Sequence, residues 1–298
     1  MKISMQEANA STVLSTRTWD LAVVGAVLDE RGKQATNFAA SRSSRVVTAN
    51  YDADLFEISI DGGQFKAEET IDFFRRENVK RVVLESTTLG FVEVFLCSRA
   101  LRNLGVQFLS ILYVEPGEYS TVRGERLLHR RDFELSEEVR GFKGIPSATL
   151  ITTERTRQRF AFFLGFEERR LDVAVQTQRI RPEDAVVIFG VPAFSPGWEM
   201  HSFANNIRVI RDNSLSGGVH FCGAENPLAA YETLASIYDA LLPGERLIIG
   251  PLGTKPNGIG AALFAASHSE VGLLYDHPRK LPGRTSSVAR WHLYDITI

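Results

Sequence analysis

Residues 246–260 have the sequence Arg-Leu-Ile-Ile-Gly-Pro-Leu-Gly-Thr-Lys-Pro-Asn-Gly-Ile-Gly, and this stretch decides the fold prediction. The apolar run at 247–249 predicts a short strand, and a glycine-rich loop carrying Thr254 and Lys255 follows it. The alanine-rich segment 261–266 then predicts a helix. The start of a helix offers unpaired backbone N–H groups and the positive end of its dipole, which together suit a bound phosphate. An ordinary turn with one solvated lysine would explain the same residues.

The same alternation of strand-like and helix-like segments continues through most of the chain. Short runs of Val, Ile and Leu, such as residues 21–25, 81–84 and 185–190, are separated by segments with helical spacing. Such runs are typical of parallel strands buried on both faces. We therefore predict an α/β fold made of two Rossmann-like halves, with mostly parallel, doubly wound sheets.

Four segments follow from this pattern. They are a polar N-terminal tail (1–18), an N-terminal Rossmann-like half (19–115), a connector (116–147) and a C-terminal Rossmann-like half that carries the Gly-Thr-Lys loop (148–298). Residues 290–296 are expected to form a final edge strand.

Composition narrows the class of protein. The 298 residues are 44% hydrophobic and 23% charged, with a formal net charge of -2, which is typical of a globular protein and does not favour nucleic-acid binding through bulk charge. There are only two cysteines and six scattered histidines, so we expect no metal site. No stretch has the length and apolarity of a signal peptide or membrane span. We expect a cytoplasmic protein without a resident cofactor.

Unusual loops follow the predicted strands of the second half. Because parallel strands end at the same edge of a sheet, loops that leave their carboxyl ends gather there, and ligands of open α/β sheets bind at that edge. These loops are rich in glycine, proline and polar residues, and they cover residues 165–170, 190–198, 223–226, 250–257 and 276–284. The sequence therefore predicts a ligand site at this edge.

Residue chemistry suggests roles within that site. Lys255 would place a positive charge on a phosphate, Thr254 would donate a hydroxyl, and Gly253 would let the backbone approach closely. Trp198 could offer a flat face to a base, or could be a core residue. The full set of candidate ligand-binding residues is Gly253, Thr254, Lys255, Asn257, Arg169, Trp198 and Arg284.

Two further segments have chemistry that a site could use. His277 follows an aspartate at the end of a predicted strand and could act as a general acid or base, although a simple turn explains it equally well. Residues 85–90 leave the strand at 81–84 and enter a helix, so they form a second possible polar edge. Within them Thr88 could be a helix N-cap.

A known family has a similar segment. Gly253-Thr254-Lys255-Pro256, followed by Gly258 to Ala261 and by a strand ending in Leu274-Tyr275-Asp276, resembles the Gly-Thr-Lys segment of CARF-type domains. Those domains are Rossmann-like sensors of cyclic oligonucleotides in prokaryotic antiviral defence and usually work as homodimers. The resemblance implies phosphate binding by residues 253–255, a homo-oligomer, and an effector that is a separate protein.

Three functions are consistent with these observations. The chain could be a sensor or regulatory subunit that binds a phosphorylated nucleotide-type ligand. It could instead be an enzyme acting on a nucleotide or sugar phosphate at the same edge, or a non-catalytic adaptor in a protein complex. The fold alone does not decide among them.

Overall fold

The computed structural model describes residues 1–14, 17–119, 135–136, 141–148, 156–279, 281 and 283–297. The chain divides into two compact units. The first is Met1–Tyr119 together with Pro282–Ile298, and the second is Ser120–Leu281. The last residues therefore belong to the first unit and not to the C-terminal half, so the predicted boundary at the C-terminus is wrong.

Four parallel strands form the centre of the first unit. In spatial order they are β7 (Phe108–Tyr119), β6 (Arg81–Glu85), β2 (Trp19–Val24) and β3 (Ser43–Asp52). The helices of this unit are α1 (Glu30–Ser41), α2 (Thr70–Glu77) and α3 (Phe91–Asn103). Trp19, Phe38 and Trp291 belong to one buried cluster, in which α1 packs on the sheet.

Antiparallel strands extend this sheet on both sides. A hairpin of β4 (Glu57–Ile60) and β5 (Gly63–Lys66) continues from β3. On the other side, β14 (Thr285–Thr297) lies between β7 and β1 (Lys2–Ala8). The predicted polar tail thus contains a strand. The predicted edge strand is an interior one, because β14 is paired on both sides.

The second unit is a doubly wound parallel sheet. Its parallel strands, in spatial order, are β11 (Val219–Cys222), β10 (Ala185–Gly190), β9 (Arg157–Leu164), β12 (Glu245–Pro251) and β13 (Gly272–Tyr275). The short strand β8 (Lys143–Gly144) pairs antiparallel with β13. The helices are α4 (Glu168–Gln178), α5 (Trp198–Asp212), α6 (Pro227–Asp239) and α7 (Lys255–Ser267). The predicted α/β class with two Rossmann-like units is confirmed.

Helices cover both faces of this second sheet. Alternate residues of β9, Phe160 and Phe162, pack in one cluster with Leu171 of α4 and Val209 of α5. Ala161 and Phe163, which alternate with them, are also fully buried, so the opposite face is covered as well. There α6 and α7 pack on each other. Among the described residues, no helix is long and apolar enough to cross a membrane.

Candidate functional site

In the second unit, successive strands are added to one side of β9 and then to its other side, so the order of strand addition reverses between β9 and β12. From β9 the chain proceeds through α4 to β10 on one side, whereas it returns through α6 to β12 on the other side. The loops after β9 and β12 therefore diverge at the carboxyl edge of the sheet, which is where open α/β sheets bind ligands. Since β9 to β13 are all parallel, the five predicted loops leave the sheet at one edge, although the last of them, 276–284, belongs to the second unit only as far as residue 281.

The N-terminus of α7 lies at this point. Thr254 is the N-cap, and its hydroxyl accepts a hydrogen bond from the Asn257 N–H at 3.3 Å. The same hydroxyl lies 2.6 Å from the carbonyl oxygen of Ala224, to which it donates. Lys255 is the first helical residue and Pro256 the second. The helix thus begins at Lys255, and Gly258 and Gly260 are inside it and not in the predicted loop, because the cap starts the helix early.

Asn257 is almost completely buried and forms a hydrogen bond with the loop after β11. Its side-chain amide donates to the carbonyl oxygen of Gly223 at 3.0 Å and lies 3.5 Å from the Cys222 sulfur. Burial raises the pKa of the Cys222 thiol to about 12, so this thiol stays protonated near neutral pH. Together, Asn257 and Thr254 fasten α7 to the loop after β11.

The loops after β9 and β12 touch each other. A Cβ added to Gly165 would lie 2.9 Å from the Leu252 carbonyl oxygen, and one added to Gly253 would lie 3.1 Å from the Cβ of Phe163. The first distance is shorter than real Cβ contacts, so the close approach of the two loops requires a glycine at 165, and the second is tight enough that a side chain at 253 would push Phe163 aside. The predicted approach of Gly253 to a ligand stays a prediction.

Three polar side chains of α5 hold the loop after β9. Ser202 and Asn206 donate to the Gly165 carbonyl oxygen at 3.0 and 2.8 Å, and Asn205 donates to that of Phe166 at 2.8 Å. Their spacing of three and four residues puts them on one face of the helix. This loop is therefore held from one side by three side chains of α5, and Asn206 also donates within the helix, to the Ser202 carbonyl oxygen at 2.8 Å.

A buried ion pair, also missed, joins three loops of the edge. The Arg170 guanidinium donates to both carboxylate oxygens of Asp276, at 2.7 and 2.6 Å, and to the Leu252 carbonyl oxygen at 3.3 Å. Burial by itself would lower the pKa of Arg170, but the charge of Asp276 and the hydrogen bonds to it raise the pKa above its usual value. Asp276 therefore bonds to an arginine 106 residues away.

A helical pattern could have found Arg170. It lies four residues before Ala174 and next to Leu171, so it belongs to the buried face of α4. The adjacent Arg169, which was the predicted ligand residue, is exposed. A buried arginine needs an acidic partner, and Asp276 is the last residue before His277 on the same edge.

The other predicted residues have different environments. Trp198 begins α5, is only partly buried, and contacts Phe166 edge-on at a centroid distance of 6.1 Å, so it is not a core tryptophan. His277 has a left-handed backbone conformation (φ 45°) and lies edge-on to Tyr275 at 5.1 Å. Arg284 directly precedes β14 and belongs to the first unit, where its charge helps to lower the pKa of Asp29.

In the second possible polar edge, residues 85–90 of the first unit, backbone N–H groups donate to a side chain of the same segment. The Glu85 carboxylate accepts hydrogen bonds from the N–H groups of Thr87 and Thr88, at 2.7 and 3.0 Å. The Thr88 hydroxyl accepts the Gly25 N–H at 2.8 Å. The N-cap of α3 is Gly90, so Thr88 does not cap that helix. An internal carboxylate thus occupies the donors that an anionic ligand would need.

Comparisons with known proteins add little to this geometry. No family model matches the chain, and no curated protein matches it. One solved structure with detectable similarity is a ketoreductase domain from the bacillaene assembly line, at 10% sequence identity and a TM-score of 0.25. The alignment covers 91% of this chain and 71% of that one. A TM-score this low carries no argument about fold or function.

Proposed function

We propose that the second unit binds a phosphorylated, nucleotide-type ligand at the loops after β9 and β12, and that the protein is a sensor or regulatory subunit. In this proposal it works in the cytoplasm as a homo-oligomer and passes its signal to a separate effector protein. Antiviral defence is the setting that the Gly-Thr-Lys resemblance implies.

The position of Lys255 is the observation that carries the proposal. Lys255 is the first residue of α7, at the positive end of the helix dipole, where a cation is unfavourable by about 0.3–1 kcal/mol. Helix stability therefore does not account for a lysine there. A bound anion at the chain reversal between β9 and β12 would account for it, because it would interact favourably with both the lysine and the dipole.

The backbone donors for such a ligand can be narrowed down. Pro256 has no N–H, the N–H of Asn257 is taken by the Thr254 cap, and that of Gly258 bonds to the Thr254 carbonyl oxygen. Backbone donors to a ligand at this end of α7 would therefore come from residues 253–255. This is the same short segment that the resemblance to CARF-type domains assigns to phosphate binding.

The hydrogen bonds around the edge favour binding over turnover. Thr254, Asn257 and Asp276 each use their side chains to hold neighbouring loops. A general acid or base must be able to exchange a proton with the substrate, and these groups are committed to the protein. Among the described residues, no group of His, Cys, Asp and Glu could hold a metal ion.

An enzyme acting on a nucleotide or sugar phosphate is the second candidate. His277 favours it, because a non-glycine residue with positive φ is uncommon and such conformations concentrate at functional sites. In that case His277 would transfer the proton while Lys255 stabilised the charge of the phosphate.

Thermal unfolding of the purified full chain tests the proposal. The panel would contain cyclic oligonucleotides, mononucleotides, dinucleotide cofactors and sugar phosphates. A ligand at about one hundred times its Kd stabilises the fold by roughly 2.7 kcal/mol. We expect such a shift in wild type and its loss in Lys255→Ala, whose unliganded stability should be unchanged or slightly higher. Lys33→Ala, at an exposed position on α1, is the matched control and should respond like wild type.

The outcomes separate the three functions. Ligand recovered chemically intact after incubation supports a sensor, whereas ligand consumed by wild type and spared by His277→Ala shows an enzyme. If no compound shifts the wild-type transition, the proposal fails and an adaptor role is favoured. If Lys255→Ala keeps full affinity, the ligand binds elsewhere.

A further inference from the structure

The ion pair between Arg170 and Asp276 ties together parts of the chain that are far apart in sequence. The side chain of Arg170 is 9% exposed and that of Asp276 is fully buried. Through them the start of α4, the loop after β12 and the segment after β13 meet at one guanidinium group. Leu252, whose carbonyl oxygen accepts from Arg170, lies directly before Gly253.

Stability does not explain why the pair is ionic. Removing two charges from water is costly, and apolar side chains of similar volume often replace a buried pair without loss of stability. The pair provides geometry that apolar side chains lack. A planar guanidinium binds a carboxylate with two parallel hydrogen bonds and keeps a further N–H for the Leu252 carbonyl group.

We propose that Arg170 and Asp276 are positioning residues that couple the ligand loop, residues 252–255, to the segment after β13, residues 276–279. This inference rests on the proposed function. A ligand that draws the backbone of 253–255 toward itself also moves the Leu252 carbonyl group and its hydrogen bond to Arg170. The movement reaches Asp276, after which the chain leaves the second unit for the first. Because such coupling is reciprocal, a change in the segment after β13 should alter ligand affinity by the same factor by which the ligand alters the equilibrium of that segment.

The test compares variants that retain the fold but differ in the hydrogen bonds that positions 170 and 276 can make. Arg170→Met/Asp276→Leu removes both charges of the pair together, and Glu167, 3.9 Å from Arg170, keeps its hydrogen bonds from Leu135 and Ser136. Arg170→Lys keeps the charge but loses the two-pronged geometry. Asp184→Asn is the control, since Asp184 is a buried carboxylate held by Arg157 and Arg181 at the opposite edge of the same sheet.

Two readouts are needed. Hydrogen exchange of the unliganded protein, followed by mass spectrometry, reports on peptides covering residues 252–258 and 275–279. Titration calorimetry with adenosine 5′-monophosphate and a cyclic oligoadenylate reports affinity. We expect the double variant and Arg170→Lys to exchange faster in both peptides and to bind about tenfold more weakly, at unchanged global stability. Asp184→Asn should lower stability without altering either readout.

The results distinguish the two proposals. Unchanged exchange in both peptides, or wild-type affinity in the double variant, overturns the positioning role. If wild type binds neither probe nor any compound of the wider panel, the proposed function fails and the ligand coupling fails with it. The exchange data then still decide whether the pair orders the two loops.

Discussion

A single glycine in α7 should control how closely α6 and α7 pack. Gly260 lies in the middle of α7 and faces α6. A Cβ added there would lie 2.7 Å from the Cβ of Ala230 and closer still to the carbonyl oxygen of Pro227. Pro227 and Ala230 are both buried in α6, so neither can move aside without moving that helix.

The sign of the effect depends on two opposing terms. Replacing a glycine inside a helix by alanine stabilises the helix by about 1 kcal/mol. Forcing extra volume into a packed interface typically costs 1–3 kcal/mol, and the cost is at the high end where backbone must shift. We therefore expect Gly260→Ala to destabilise the second unit by a net of about 1–2 kcal/mol, or roughly 2–8 °C in its transition.

Urea unfolding followed by tryptophan fluorescence measures this, since Trp198 reports on the second unit. Gly32→Ala is the comparison, because Gly32 is also helical but its added Cβ would meet only side-chain atoms of Thr88 and Asp29, at 3.0 and 3.2 Å. These contacts are longer than those at Gly260 and involve no backbone atom, so the Gly32 variant should lose less. Gly260→Ala with unchanged or increased stability would refute the close packing of α6 and α7.

Three further predictions follow from the hydrogen bonds at the two edges of this sheet. Thr254→Ala should cost about 1 kcal/mol of unfolding free energy while Thr254→Ser costs little, because the hydroxyl is the cap; equal losses would contradict this. In the same urea assay, Asp276→Asn should cost about 3–5 kcal/mol, whereas Arg170→Met/Asp276→Leu should be nearly neutral. Burial opposes ionisation of Asp184, but its arginine partners outweigh that and hold its pKa below the ordinary 3.8. A lowered carboxylate pKa stabilises the fold above the ordinary pKa, and this contribution is lost as pH falls through the folded value. Urea unfolding across pH 2–6 should therefore show a shallower loss of stability on acidification in Asp184→Asn than in wild type.

Local sequence patterns were sufficient for the second unit. The strand predicted at residues 185–190 matches β10, because an apolar run there ends at a glycine. The strand, loop and helix around Lys255 were also predictable. The strand order, which places the chain reversal at β9 and β12, could not be predicted from any single segment of the sequence.

The first unit shows what such patterns miss. Helix α1 was not predicted, because its sequence is largely polar, although Asp29 followed by Glu30 is an N-cap signal. Strand β5 was missed despite Asp61-Gly62, which have positive φ and form a hairpin turn. The partner of β14 lies more than 160 residues earlier in sequence, and pairing over such a distance leaves no local trace.

The charges at the chain reversal also indicate where a phosphate would lie within it. On the β9 side, α4 begins with Glu167 and Glu168, and Glu167 already accepts hydrogen bonds from the Leu135 N–H and the Ser136 hydroxyl. An anion placed there would meet these carboxylates, while of the two neighbouring arginines Arg170 is already paired with Asp276 and Arg169 is exposed. On the β12 side, α7 begins with a threonine cap and Lys255. Because both helix N-termini favour an anion, the side-chain charges would decide between them, and under the proposed function they favour the α7 side. At the corresponding point in the first unit, the Glu85 carboxylate already accepts hydrogen bonds from its own loop N–H groups, so the proposed ligand would find fewer donors there than at α7.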